Sequence, residues 1–147
     1  MTTTFAELRQ DLSTQILTIG GAWNASPVPY HLHGPDDVPD AVPASKAHLS
    51  FAIGLDSEAG EDRQRASQGA RSVTDAAVRF FARYTPKDGI TSEDAALGHE
   101  NDLITAVRGT STDFQIVWAR SSRSMVASGE WFTHEVAFTV YHRIPLT

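Results

Sequence analysis

Five prolines stand between residues 27 and 43: Pro27, Pro29, Pro35, Pro39 and Pro43. Each fixes its own φ and removes a backbone donor, so no helix interior or central strand passes through this stretch. Residues 22–46 therefore read as an extended, irregular connection. It is longer than a simple connector needs to be, which points to a task of its own.

The centre of this connection, "YHLHGPDDVPDAVP", carries His31, His33, Asp36, Asp37 and Asp40, all residue types that bind divalent metals. Histidines at i and i+2 share a side only on extended backbone, and carboxylates would complete an oxygen/nitrogen site. Metal signatures, however, fix their ligands on rigid elements at set spacings, and this segment matches none of them. The expectation is an arm that contacts a neighbouring subunit or another protein, with its histidines exposed and no metal or cofactor bound. A small metal-dependent hydrolase built on His31 and His33 is the competing reading.

Regular structure is expected on either side of the arm. Thr4-Phe-Ala-Glu7 has capping-box form, and Phe5, Leu8, Leu12 and Ile16 make one helical stripe that ends at Gly20-Gly21. This predicts a helix over about residues 4–18. In "HLSFAIGL" the period becomes two, with Leu49, Phe51, Ile53 and Leu55 on one side of a strand. The segment 56–72 is rich in charge and has no large apolar side chain. Beyond it, "VTDAAVRFFARY" again alternates, placing Val78, Phe80, Ala82 and Tyr84 opposite Arg79, Phe81 and Arg83. The pair reads as a hairpin with a charged connection reaching out from the body.

"TPKDG" is a turn. A second helix follows, capped by Thr91 or Ser92, acidic in its first turn and closed at Arg108-Gly109, with Leu97, Leu103, Ile104 and Val107 inward and His99 facing solvent. A short strand near "DFQIVW", a possible second extended piece, and a final strand complete the chain. In that last strand Val136, Phe138, Val140 and Ile144 share a face with His142. The order αββαββ defines an α+β class: an antiparallel or mixed sheet covered on one face by two helices, in a single domain spanning 1–147.

Composition narrows the function. Net charge is −6 with 147 residues and no cysteine, which excludes thiolate metal sites and cysteine nucleophiles and argues against a dedicated nucleic-acid binder. "MTTTFAELRQDLS" has neither a basic n-region nor an apolar h-region, so no signal peptide is expected, and no apolar run is long enough to span a membrane. No G-x-S-x-G elbow occurs, and "IGGAW" follows a helix where a dinucleotide loop needs a strand. No catalytic residues are assigned. The arginines form a more suggestive set: Arg63, Arg65 and Arg71 in the charged connection, Arg79 and Arg83 on one strand face, and Arg120 and Arg123 near the penultimate segment. An ordinary solvated surface competes with a contact to a neighbouring subunit.

Three stretches carry a resemblance to a known family. They are "FAELRQDLSTQIL" before a proline-bearing connection, the pair "HLSFAIGL" and "VTDAAVRFFARYTPKD", and the ending "SMVASGEWFTHEVAFTVYHRI". Together the chain resembles the tail terminator proteins of long-tailed bacteriophages, the lambda-like minor tail proteins. The resemblance implies a non-catalytic virion protein that forms a hexameric ring on the head-proximal end of the tail tube. There it would stop tube polymerisation and present the surface that joins the capsid. Its implied partners are copies of itself, the tube protein and a head–tail connector, while DNA passes through the lumen without specific binding. The candidate interface residues are His31, His33, Asp36, Asp37, Arg63, Arg65, Arg71, Arg79, Arg83 and Arg123. A neck or head–tail connector protein is the alternative within the same virion. The stretch 22–46 is longer than in the lambda-like pattern.

Overall fold

The computed structural model describes residues 3–33, 42–60, 70–108, 115–126 and 129–145. Helix α1 (Phe5–Leu17) begins where expected: Thr4 Oγ1 accepts from the Glu7 N–H at 3.1 Å and donates to Glu7 Oε1 at 2.9 Å. Leu8, Leu12 and Ile16 are fully buried on its inner stripe. Gly20 (φ +80°) and Gly21 (φ +65°) then turn the chain through left-handed backbone that a side chain would strain.

A five-stranded mixed sheet forms the body: β1 (Asn24–Ala25), β2 (Ser50–Gly60), β3 (Ala70–Arg83), β4 (Gln115–Met125) and β5 (Trp131–Ile144), in the spatial order β1-β2-β3-β5-β4. β1 runs parallel to β2 and the other pairings are antiparallel. The two-residue β1 lies inside the stretch expected to be irregular. It is too short to show a period, and the Ser26 N–H donating to the Phe51 carbonyl at 2.8 Å extends its contact with β2.

β2 and β3 form the expected antiparallel hairpin, but its described strands do not reach out from the body: β3 is paired with β5 along its whole length, from Ala70 opposite Ile144 to Arg83 opposite Trp131. The charged connection at 61–69 lies outside the described residues. The alternation also breaks within β2. Leu55 faces Ala76 while Ser57 faces Asp75, so Asp56 is an extra residue in the ladder. A second irregularity, between Trp118 and Arg120, explains why β4 read as two short pieces. It is one strand of 11 residues whose period slips at Ala119.

α1 and α3 (Ile90–Arg108) cover one face of the sheet. Against them pack Phe51, Ile53, Val78, Phe80, Phe132, Val136, Phe138 and Val140. Two details of α3 differ from expectation. It starts at Ile90, and the Ser92 hydroxyl bonds to the backbone of Thr85 instead of capping. Its inner stripe is Ala96, Glu100, Leu103 and Val107, with Leu97 40% exposed. His99 is not solvent-facing: its ring lies 6.3 Å from Trp23 and 5.5 Å from His48.

The opposite face of the sheet is also covered. Val42, Ala47, Phe81, Val126 and Trp131 form a second buried cluster there, with Val28 packed on it. Its cover is the proline-rich arm, through the 3₁₀ turn Tyr30–Leu32 and the short helix α2 (Ala44–Ala47). Gly54 permits this: a Cβ there would collide with the Tyr30 ring, which lies flat against β2. Leu49, where arm becomes strand, holds φ +58° because its N–H donates to Phe81 O at 2.6 Å and its side chain is buried.

Candidate assembly surface

The arm residues proposed from sequence separate on folding. His31 is exposed in the 3₁₀ turn, whereas His33 is fully buried, which corrects the expectation that both histidines are exposed. The His33 ring stacks on Phe81 with centroids 4.1 Å apart and planes 17° apart, and its Nε2 lies 3.2 Å from Ser50 Oγ. An imidazole is flat enough to stack on a phenyl ring and polar enough to meet a serine. Here it anchors the arm to its own sheet, so the described part of the arm is seated within the chain. Among the described residues no cluster of three or more histidine, aspartate or glutamate side chains is placed to hold a metal ion. Asp36, Asp37 and Asp40 lie outside the described residues, as do Arg63 and Arg65.

The remaining arginines divide between the two faces. Arg79 and Arg83 share the arm-covered face, as the alternation predicts. The Arg79 guanidinium sits 4.2 Å from the centroid of Tyr30 and donates to the Tyr30 carbonyl at 3.3 Å, while Arg83 sits 4.7 Å from the Trp131 centroid. Tyr30 is held from its other end as well, its hydroxyl donating to Glu135 Oε1 at 2.9 Å. Its pKa is pushed far above the ordinary phenol value, first by burial and then by that carboxylate. Both arginines thus lock aromatic rings within the chain. Arg71 is exposed near the start of β3.

Arg123 lies on the helix-covered side, where sequence reasoning missed its partners. Its Nε and Nη2 donate to Glu100 Oε1 and Oε2 at 3.0 and 2.9 Å, a bidentate pair. His134 Nδ1 is 2.6 Å from Glu100 Oε1, and the His134 ring stacks on Phe80 at 4.4 Å. Burial alone would raise the Glu100 pKa, but the hydrogen bonds from His134 and Arg123 outweigh it and hold the carboxyl below its usual range. A signal for this existed: Glu100 falls on the stripe of Ala96, Leu103 and Val107, and a carboxylate on an apolar stripe needs partners.

A third polar link ties the N-terminal segment to β5. His142 Nδ1 donates to Thr3 O at 3.2 Å, and its Nε2 lies 2.8 Å from Thr74 Oγ1. His142, His48 and His99 all have pKa values lowered, chiefly by burial. Each then binds a proton less readily folded than unfolded, so folding stability is full above the ordinary histidine pKa and declines as pH falls below it. The urea midpoint is expected to drop steadily between about pH 7 and 5. His142→Asn, which keeps a polar partner without titrating, should flatten part of that slope. A midpoint constant across that range would show that these rings are not held neutral.

What is left for contact with other molecules lies along the sheet edge. β4 is exposed over nearly its whole length, and Val117, Trp118 and Met125 on it are each more than 40% exposed, as is Tyr141 on β5. Among the described residues no strand pairs the outer side of β4. A long, open, partly apolar edge is an invitation to further strand pairing. At the other end of the sheet, a groove of about 510 Å³ runs between α1 and the arm with residues 51–55 as its floor.

No protein-family model matches the chain, and no curated protein does so by sequence. The fold itself has a solved counterpart. A chain from the virion of a native gene transfer agent particle superposes with a TM-score of 0.58, covering 92% of this chain and 94% of the other, at 15% sequence identity. The likeness therefore takes in nearly the full length of both chains. No described helix is long and apolar enough to cross a membrane.

Proposed function

We propose that this chain is a structural protein of a phage-derived virion, acting as a tail terminator: a ring on the head-proximal end of the tail tube that ends tube polymerisation and offers the head-joining surface. The observation that carries this reading is the end-to-end likeness of the fold to a chain of a gene transfer agent virion. The sequence resemblance to tail terminators supports it, as does a surface organised around an exposed strand edge instead of a cleft with convergent reactive groups. The role requires no catalysis or cofactor. Its partners would be copies of the chain, the tube protein and a connector, and the overall negative charge suits a lumen through which DNA slides without being held.

Deleting the gene from the genome that produces the particle tests this directly. Electron microscopy should show tails of uncontrolled, excessive length lacking heads. Tails of normal length that fail to join heads would instead assign the chain to the neck as a connector. Intact particles in normal yield would overturn both roles.

A further inference from the structure

The single sheet ends in two open edges of different character. On one side is β4, Gln115–Met125, which carries Arg120 and Arg123 and no acidic residue. On the other is β2 beyond its contact with β1, where the strand carries Asp56 and Glu58 and no base. Because the Phe51 carbonyl faces outward to accept from Ser26, the two-residue alternation also turns the backbone groups of Ile53 and Leu55 outward. Among the described residues nothing pairs with those groups, and they form the floor of the groove between α1 and the arm.

We infer that the occupant of this groove is strand β4 of a second copy of the chain, adding to the free edge of β2 so that the sheet continues from one subunit to the next. Three observations support the choice. The charges are complementary: Arg120 on β4 has a side chain 60% exposed and β2 carries Asp56 and Glu58, whereas Arg123 is engaged by Glu100. Arg120 lies opposite Ala137 and 3.9 Å from Glu135 on the arm-covered face, and Asp56 follows Leu55 of the helix-covered face in the alternation, so the two would meet on one side of a continued sheet. Strand direction is also right: β2 and β5 run one way, β3 and β4 the other, so β4 meets the next β2 antiparallel under a simple rotation. The contact joins two different patches, and repetition by rotation closes a ring. This rests on the ring reading above and supplies its subunit contact.

The absence of cysteine makes a clean test possible. Ala59 on β2 and Val117 on β4 are exposed, on the same face, and opposite each other when Arg120 meets Asp56. Ala59→Cys, Val117→Cys and the double variant are treated with a short bis-maleimide after sizing by native mass spectrometry alongside the unmodified chain. The double variant is expected to give a covalent ladder ending at the ring number, each single variant alone to stay a monomer on a denaturing gel, and a mixture of the two to give dimers. Dimers from Val117→Cys alone would mean that β4 pairs with itself, and the inference fails. No cross-link in variants that still form rings overturns the strand pairing and leaves the ring intact. An unmodified chain that stays monomeric at every concentration overturns the ring reading and this contact together.

Discussion

Replacing Glu100 with alanine is expected to lower folding stability by about 3 kcal/mol, the cost of losing the bonds from Arg123 and leaving the buried His134 nitrogen without its acceptor. Arg123 would lose both of its carboxylate bonds, and His134, fully buried beneath the helix, would lose its 2.6 Å contact. The damage is asymmetric. Arg123→Ala should cost less, since its side chain is 41% exposed and water can replace it, although Glu100 then keeps only the histidine. Chemical denaturation of the two variants beside the parent checks the ranking, and equal losses would contradict it. The same carboxyl sets an acid limit. Its folded pKa lies below the ordinary value of 4.5, so its contribution is complete above that value and disappears as pH falls through the lower, folded one. Glu100→Gln should remove that acid-side dependence while disturbing the fold less than alanine does.

Phe81→Ala is expected to cost a similar amount, about 3–5 kcal/mol, but through a different route. Phe81 is fully buried on the arm-covered face, where it stacks with His33 and packs in the cluster of Val42, Ala47, Val126 and Trp131. Removing the ring leaves a cavity under the arm and takes away the platform on which His33 lies. The specific consequence is release of the arm. Limited proteolysis should cut the variant within residues 26–47 well before the parent, and cleavage elsewhere at first would show that the arm is held without Phe81.

These two side chains also mark how far sequence could be read. The alternation in "VTDAAVRFFARY" correctly opposed Phe80 to Phe81, and α1 and the final strand lie where their periods put them, while α3 turns Ala96 and Glu100 inward in place of Leu97. The period says which residues share a side, but not what covers the second side. A strand with Arg79, Phe81 and Arg83 on one face looks half-solvated until the arm is seen lying on it, with each arginine turned into a ring contact. His33 was misjudged for the same reason. Proline density pointed to an irregular connection, but short helical turns still form at Tyr30–Leu32 and, directly after Pro43, at Ala44–Ala47, and the prolines carry no information about where the segment docks. Bulges did the rest: the extra residues at Asp56 and Ala119 shift the period by one, which hid the length of β4 and with it the open edge. Of the candidate interface residues, Arg79, Arg83, Arg123 and His33 serve the interior of the chain itself. The exposed strand that stands out as an assembly surface contains no motif at all.

The bond from Thr3 to Arg143 reaches beyond stability. That contact, with His142 beneath it, fixes the first described residues beside the end of β5, and Ala70 opposite Ile144 places the start of β3, at the far end of the β2–β3 hairpin, at the same spot. Thr3 and Ile144 therefore lie at one pole of the sheet, while the turns at 86–88 and around Gly129 occupy the other. In a cyclic ring whose axis runs along the strands, a probe fused at either terminus is expected to decorate one rim and leave the opposite rim bare. The two sides of such an assembly are then separately addressable by microscopy with a single fusion.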